Sequence, residues 1–373
     1  MKVRIDVRTY TMVAALIIIW VVFSLLEPTF LGARNLSNLA RDMSETGILA
    51  IGMVFVIVSG NIDLSVGSLA GLTGGIAAMI NGWGRQGSLL SISGALATGV
   101  LAGALQGAII AYRRIPAFIV TLGGLMAFRG VLWAATRSID IPLNAGFFER
   151  IGKDYLPQSW AWVLATAAIC CILIAALRHR HVIRKLRLEA APSHLTLPKA
   201  VAASFVIVAF VTIMNTYEGV SYPVLILITL ALALHLISRR TRFGRHVYAI
   251  GGNAEAARLS GINVGKNILA IFMIIGFLSA VAGVIMTSRL GSSSSRTGQL
   301  MELNAIAACV IGGCSLMGGR GKISGAILGA LIMASLDNGL SLRSVDIAYQ
   351  YIIKAVALVG AVAIDVATKK SRT

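Results

Sequence analysis

The stretch Ile51-Gly-Met-Val-Phe-Val-Ile-Val-Ser-Gly-Asn-Ile-Asp-Leu-Ser-Val-Gly-Ser68 joins two apolar runs through a short polar break at 60–65. The flanking runs, near 44–60 and 63–82, are each long enough to cross about 30 Å of hydrocarbon as a helix. Backbone N–H and C=O groups in lipid must bond within the protein, so runs of this length are expected to be helical. The stretch therefore predicts two membrane helices separated by almost no loop.

Apolar runs of similar length recur along the whole chain. Of its 373 residues, 57% are hydrophobic and 13% are charged, whereas soluble domains carry about 25% charged residues. Strands of a membrane barrel would alternate with period two, and these runs do not. The sequence predicts an all-α fold, a polytopic transmembrane helical bundle of about 10–12 spans with broken helices. The candidate spans lie near residues 10–26, 44–60, 63–82, 90–111, 116–136, 160–177, 199–215, 222–238, 268–287, 302–318, 323–341 and 349–367.

Basic residues are concentrated in four segments, and the chain has a formal net charge of +18. The segments are the N-terminus, residues 178–199, residues 239–267 and the C-terminus, and even numbers of predicted spans separate them. Lys and Arg accumulate in the cytoplasmic loops of membrane proteins. We therefore predict that both termini, a basic loop at 178–199 and a segment at 239–267 face the cytoplasm. Because this charge lies between spans, it does not indicate a nucleic-acid partner.

Motifs of enzymes, motors and metal sites are missing from the sequence. The P-loop pattern G-x-x-x-x-G-K-[ST] is absent, since Gly321-Lys322 is followed by Ile323, and neither H-E-x-x-H nor G-x-S-x-G occurs. We expect no metal and no cofactor, so energy for active transport must come from another protein. The cysteines lie in apolar or Gly-rich runs without a CxxC pair and are predicted to be buried side chains: Cys170, Cys171, Cys309 and Cys314.

The polar break at 60–65 has two interpretations. The side chains of Asn61, Asp63 and Ser65 can accept hydrogen bonds from free N–H groups at the start of the next helix. The same side chains can line or gate the pathway of a polar solute, because polar groups at membrane depth are usually functional. Both interpretations stay open on the sequence alone.

A second break, Gly312-Gly-Cys-Ser-Leu-Met-Gly-Gly319, interrupts a later apolar run. Broken helices line the pathways of many transporters, which makes Gly312, Gly313 and Ser315 candidates for a pathway or gate. Tight helix packing explains the glycines equally well. A related choice, close packing within the chain or against a second chain, applies to three glycines spaced four residues apart: Gly99, Gly103 and Gly107.

The segment 239–267 carries the signals of a short cytoplasmic helix. Asn253 is a suitable N-cap, Glu255 complements the positive start of a helix, and Gly261 is a suitable stop. About two turns of helix are marginally stable alone. We expect this helix to dock on this chain's helix ends or on another protein, with a solvated loop helix as the alternative.

Four blocks of sequence resemble, in order, the permease subunits of bacterial sugar ABC importers of the ribose, galactoside and xylose type. They cover most of residues 35–367, and the departures from the usual pattern are Cys314, where Thr is usual, and Asn61, where Gly or Glu is usual. The blocks are Ile62-Asp-Leu-Ser-Val-Gly67, Ile115-Pro-Ala-Phe-Ile-Val-Thr-Leu122, Phe243-Gly-Arg245 with Ala249-Ile-Gly-Gly-Asn253, and Gly312-Gly-Cys-Ser-Leu-Met-Gly-Gly319. Further stretches look xylose-type: Ala33-Arg-Asn-Leu-Ser-Asn-Leu39, Ala256-Ala-Arg-Leu-Ser-Gly-Ile-Asn-Val264 and Met333-Ala-Ser-Leu-Asp-Asn-Gly339.

The resemblance implies the rest of a machine in the lipid of the bacterial inner membrane. Residues 1–373 would form one permease domain, and two identical chains would form the pore. A periplasmic sugar-binding protein delivers the sugar, and a cytoplasmic ABC ATPase binds ATP and drives alternating access. The helix near 253–260 is implied to be the coupling helix on which the ATPase acts. The implied coupling residues are Phe243, Gly244, Arg245, Asn253, Glu255, Ala256, Arg258 and Gly261.

Three alternatives stay open. The same machine could carry ribose, galactosides or branched-chain amino acids instead of D-xylose. A membrane enzyme acting on lipids is disfavoured, because such sites commonly hold clustered Asp or His, and no such cluster occurs. An ion-coupled secondary transporter would need carboxylates in mid-helix, whereas the candidates lie near predicted span ends: Asp63, Glu302, Asp337 and Asp365.

Overall fold

The computed structural model describes residues 7–185 and 196–370. Residues 1–6, 186–195 and 371–373 lie outside this part of the chain, and they include part of the predicted basic loop and of both predicted cytoplasmic termini. The described residues are mostly helical, which confirms the all-α fold. Because the backbone groups of a helix bond within their own segment, this architecture suits a lipid surrounding.

Fifteen α-helices and one two-stranded ribbon follow one another along the described residues. Seven of the helices are long and apolar enough to cross a membrane, and their apolar spans are Ser88–Arg113, Ala117–Thr136, Gln158–Val182, Leu197–Asn215, Tyr222–Arg240, Val264–Leu290 and Ile323–Leu342. The helices are α1 Val7–Leu26, α2 Ala33–Val58, α3 Val66–Ala78 with a π-helical turn Met79–Trp83, α4 Ser88–Arg113, α5 Ala117–Thr136, α6 Phe147–Lys153, α7 Gln158–Lys185, α8 Thr196–Asn215, α9 Tyr222–Arg240, α10 Arg242–Gly252, α11 Ala254–Leu259, α12 Val264–Leu290, α13 Met301–Ile311, α14 Ile323–Leu342 and α15 Ile347–Lys370. Strands β1, Ile141–Pro142, and β2, Ser292–Ser293, pair antiparallel.

Each predicted span contains a helix, but several boundaries differ from the prediction. The span predicted at 302–318 is too long, because α13 stops at Ile311. The glycine at 313 follows with a φ of +86°, a backbone conformation that does not continue a helix. The loop predicted at 178–199 is shorter than expected, since α7 continues to Lys185 and α8 begins at Thr196.

Helix α10 was not predicted. Thr241 begins it, with its hydroxyl oxygen accepting a hydrogen bond from the Gly244 N–H at 3.1 Å. The helix is amphipathic and only 11 residues long, so it has no long apolar run to mark it. The ribbon was missed for a related reason, since its strands of two residues each are too short to show a period.

The centre of the bundle is α12, which packs against α2, α3 and α4. Glycine makes the contact with α4 close: a Cβ at Gly103 would overlap the carbonyl oxygen of Phe272, and one at Gly99 would overlap that of Gly276. A Cβ at Gly107 would also lie only 2.9 Å from the Cβ of Phe272, so all three glycines that predicted a close approach use it within the chain. Small residues of this kind let membrane helices come close enough for dispersion contacts along their whole length.

Candidate functional site

The polar break between α2 and α3 is organised by Asp63, which is only 2% exposed. One carboxylate oxygen of Asp63 accepts two hydrogen bonds from Ser65, at 2.7 Å from the backbone N–H and 2.7 Å from the hydroxyl. Helix α3 begins at the next residue, and Ser65 itself makes no side-chain cap. Asp63 therefore fixes the start of α3, which is the structural role expected for one of the three predicted side chains.

Side chains from two other helices complete the polar break. Gln106 of α4 donates to the hydroxyl oxygen of Ser65 at 3.0 Å. Thr121 of α5 donates to the carbonyl oxygen of Ile62 at 3.2 Å. Asn61 lies apart from this network: it is half-buried and donates to the hydroxyl oxygen of Ser59 at 3.0 Å. In this conformation the break is packed against α4 and α5, with its polar groups turned inward.

Two charged residues near the same place were not among the predicted pathway residues. Glu302, at the start of α13, is 5% exposed and packs so closely on α3 that a Cβ at Gly67 would overlap its carboxylate. One of its carboxylate oxygens has no hydrogen-bond partner within the described residues. Arg129 of α5 donates to the carbonyl oxygens of Thr297 at 2.8 Å and Ser295 at 3.1 Å, in the segment that leads into α13.

The signals for these two residues differ. Arg129 stands in the middle of the apolar run at 116–136, and a charge inside a span is usually functional, so the sequence held a usable signal. Glu302 held none, because it was predicted at the end of a full-length span. In the structure, the 11-residue helix α13 begins beside the start of α3. This position places the Glu302 carboxylate inside the bundle.

The second break, residues 312–322, turns the chain from α13 into α14. Gly312 lies so close to the backbone of Gly325 that a Cβ would overlap it. Gly313 has a φ of +86°, where glycine is favoured. The N–H of Ser315, which is buried, donates to the carbonyl oxygen of Arg320 at 2.9 Å. These contacts explain the glycines by packing, and a part for Gly312, Gly313 and Ser315 in a pathway stays a prediction.

Helix α11 is the short helix predicted in the segment 239–267. The side chain of Asn253 accepts from the N–H of Ala256 at 2.9 Å, which confirms the N-cap. Gly261 has a φ of +83° and ends the turn, as predicted. Arg258 and Glu255 form an ion pair at 2.6 Å with both side chains about two-thirds exposed. The hydrogen bonds that Arg258 donates lower the pKa of Glu255.

Helix α10 connects this exposed helix to the bundle. Phe243 stacks on Phe55 of α2, with 6.1 Å between ring centroids. Gly244 is buried against the end of α9, where a Cβ would overlap the carbonyl oxygen of Ser238. Arg245 is exposed. Of the predicted coupling residues, Phe243 and Gly244 therefore contact this chain's own core, whereas Arg245 and the Glu255–Arg258 pair face outward.

The end of α10 meets both breaks at what we name the glycine junction, formed by Val58, Gly251 and Gly319. The N–H of Gly319 donates to the carbonyl oxygen of Val58 at 2.8 Å. A Cβ at Gly251 would overlap that same oxygen. Beside the junction, the hydroxyl of Tyr248 donates to the carbonyl oxygen of Gly321 at 2.8 Å. The structure thus joins the predicted coupling segment to the end of α2 and to the second break by backbone contact.

The cysteines do not form a metal site in the described part of the chain. Cys309 and Cys314 are buried, as predicted, and Cys309 donates to the carbonyl oxygen of Ala50 at 3.2 Å. The prediction of burial is wrong for Cys170 and Cys171, which are exposed on α7, because apolar side chains of membrane helices also face lipid. Among the described residues, no group of three or more His, Cys, Asp or Glu side chains is placed to hold a metal.

Comparison with known proteins places these elements in a family. Residues 35–362 match the family described as branched-chain amino acid transport system, permease component. The xylose transport system permease protein of Escherichia coli strain K12 is 44% identical over 367 residues, which are 98% of this chain and 93% of that protein. The corresponding protein of Haemophilus influenzae is also 44% identical, over 98% of both chains. The ribose import permease protein of Escherichia coli strain K12 is 37% identical over 94% of this chain and 91% of that protein.

No solved structure matches the chain with statistical significance. The matched region includes the polar break, the second break and the coupling segment, and the apolar helices are those of a multi-pass membrane protein. The chain therefore belongs to the permease-component family of branched-chain amino acid transport systems, as a sugar ABC permease of the kind that its xylose and ribose relatives represent.

Proposed function

We propose that this chain is the membrane channel of an ATP-driven importer that moves D-xylose across the bacterial inner membrane. The identity to xylose permeases, 44%, exceeds that to the ribose permeases, 37% and 35%. The observation that carries the transport mechanism is the glycine junction, which joins an exposed helix pair to the buried polar break without a flexible linker. A permease without a nucleotide-binding motif needs such a path to receive force from a partner.

The partners follow from this proposal. Two identical chains would form the pore, and both termini and the segment 239–267 would lie in the cytoplasm. A cytoplasmic ABC ATPase would bind the ATP, and a periplasmic sugar-binding protein would deliver the sugar. The exposed face of α11 supports an ATPase contact, because the charged side chains of Glu255 and Arg258 are exposed and, within the described residues, form an ion pair with each other alone.

Force would pass from α11 to the breaks by rigid packing. Tightly packed helices switch between discrete arrangements rather than deform continuously. A displacement of α11 would therefore be transmitted to the two breaks. Phe243 stacks on Phe55 of α2, and Gly251 and Gly319 contact the end of α2 through backbone atoms. Displacement of α10 would therefore pull on the residues that lead directly into Asp63 and α3.

The pathway would be lined by groups that satisfy one another while it is closed. Asp63, Ser65 and Gln106 exchange hydrogen bonds in the buried break. Separation of α3 from α4 would free these groups for the hydroxyls of a sugar, at little net cost because one set of hydrogen bonds replaces another. Glu302, with an oxygen lacking a partner among the described residues, would add an acceptor. Asn61, Gly312, Gly313 and Ser315 remain gate candidates.

The proposal is tested by uptake of labelled D-xylose in a bacterial strain that lacks its own xylose importers. The chain is co-expressed with its ATPase and binding protein, and unlabelled ribose, galactose and leucine are added as competitors. We expect uptake that stops when ATP is depleted and that only xylose competes away. Competition by ribose or leucine instead would reassign the substrate.

The ion-coupled secondary transporter is the second candidate, and Glu302 is the observation that favours it. A buried carboxylate with an unpartnered oxygen is the type of group that binds a coupling ion. Uptake that survives ATP depletion and collapses with the ion gradient would support it, and a Glu302→Gln variant would then lose ion dependence. Under the ABC proposal the same variant still requires ATP and only transports more slowly.

A further inference from the structure

The start of α14 borders a basic cleft whose charged side chains have no part in the proposed transport mechanism, although the gate candidates Gly312 and Gly313 also line it. The cleft has a volume of about 660 Å³ and opens between α1, α9 and the second break. Three cationic side chains line it, Arg239, Arg320 and Lys322, and no acidic side chain does so among the described residues. Its walls also include Met12 of α1 and Leu328 of α14, so charge and apolar surface stand side by side.

Backbone groups add to the positive potential of this basic cleft. Helix α14 begins there and is 20 residues long, and its N-cap, Lys322, makes no side-chain cap. The free N–H groups at such a helix start carry a partial positive charge and favour anions. Several lining residues are glycines, among them Gly319 and Gly321, which add no side chain to the cleft.

A second, apolar groove continues from the basic cleft. It has a volume of about 460 Å³ and lies between α2, α8, α9 and α14. Ser324 lines both spaces, so they meet at the first turn of α14. Of the described residues that line the groove, all except Ser324 and His235 are apolar, including Phe210, Ile228 and Leu232.

We propose that the basic cleft and the apolar groove together bind one anionic phospholipid of the membrane. The phosphate would lie among Arg239, Arg320 and the start of α14, and an acyl chain would lie along α9 in the groove. The order of the two spaces fits this ligand, because a basic pocket on the predicted cytoplasmic side stands at headgroup depth. A sugar carries neither the charge nor the chain, so the charge and the apolar groove favour a lipid over the transported sugar as the occupant.

The site also borders the coupling segment. Tyr248 of α10 lines the basic cleft and bonds the second break through Gly321. A bound headgroup would therefore stabilise the break and the end of α10 in the arrangement described. Anionic lipid is expected to raise the thermal stability of the permease through mass action on the folded state.

Lipid binding is measured on the purified full chain by native mass spectrometry and by thermal unfolding. Phosphatidylglycerol, phosphatidylcholine and inorganic phosphate are the probes. We expect phosphatidylglycerol to bind at least fivefold more tightly than phosphatidylcholine and to raise the melting temperature, while inorganic phosphate has no effect. A full stabilisation by inorganic phosphate, or equal binding of the two lipids, would overturn the proposal.

Variants test the binding of the headgroup and of the acyl chain independently. The double variant Arg239→Gln/Arg320→Gln is expected to lose the preference for phosphatidylglycerol. The matched control Arg113→Gln/Arg114→Gln removes two charges from the exposed end of α4 and is expected to keep that preference. Ile228→Trp fills the groove and is expected to weaken phosphatidylglycerol binding without removing charge. Unchanged binding in both the double variant and Ile228→Trp, or a change of oligomeric state in Ile228→Trp, would assign the cleft to another occupant.

Discussion

The coupling helix α11 and the polar break each start a helix with a side-chain oxygen, but in opposite surroundings. At α11, the cap of Asn253 reaches only three residues along the chain and stands in water. At the break, the oxygen of Asp63 reaches only two residues along the chain to Ser65, but it is buried, and Ser65 is also bonded to Gln106, which is buried and lies 41 residues away on another helix. Local, exposed bonds are visible in the sequence and are weak, whereas buried bonds between distant residues are invisible and cost more to break.

The largest expected effect is at the glycine junction, where the two regions meet. In Gly251→Val a side chain would overlap the carbonyl oxygen of Val58, so the junction must open at a cost of about 3 kcal/mol or more. We expect a large fall in melting temperature and loss of uptake. Gly252→Ala is the matched control, since nothing lies within 4 Å of a Cβ there. Equal damage by both variants would mean that the contact with α2 is not the cause.

The next effect is at the buried break. Asp63→Ala leaves the buried N–H of Ser65 without its acceptor and removes the closer of the two acceptors of the Ser65 hydroxyl, so it is expected to destabilise the chain by about 1–3 kcal/mol. Urea or thermal unfolding in detergent measures this change. Asn61→Ala, two residues earlier and half-buried, is expected to change stability by less than about 1 kcal/mol. A larger loss in Asn61→Ala than in Asp63→Ala would reverse the roles assigned to these two residues.

A smaller effect is expected at the cap of α11. Asn253→Ala removes the acceptor of the Ala256 N–H and should cost about 1 kcal/mol, confined to this helix. Hydrogen exchange of residues 254–259 should speed up while exchange in α12 stays the same. Asn253→Asp retains an acceptor and should restore protection. Slow exchange in Asn253→Ala would show that another contact holds α11.

The smallest effect on stability is expected at the exposed pair. Glu255→Gln/Arg258→Gln removes an ion pair that water screens, so unfolding should be almost unchanged. Transport and substrate-stimulated ATP hydrolysis should nevertheless fall together, because these side chains would contact the ATPase. The control Glu149→Gln/Lys153→Gln removes a partly exposed pair, at 2.6 Å on α6, and should leave both activities intact. Normal transport in the first variant would remove α11 from the coupling role.

The same contrast explains what could be predicted from the sequence. The membrane helices, both breaks, and the cap and stop of α11 depend on apolar runs and on neighbouring residues, and they were predicted. The inward position of Glu302 depends on how α13 packs against α3, which no local pattern encodes. Arg129 was overlooked although its place within an apolar run was a signal, while Gln106 acquires its role only when α3 meets α4.

The ribbon of β1 and β2 has a consequence for the face opposite the coupling segment. Ile141 pairs with Ser293 and Pro142 with Ser292, so the antiparallel ribbon connects the linker after α5 to the linker after α12. Arg129 and Trp133 of α5 hold the second linker again through the carbonyl oxygen of Ser295. A protein that binds either linker therefore contacts a single bonded surface, and any force it exerts is transmitted to α5, α12 and α13 together.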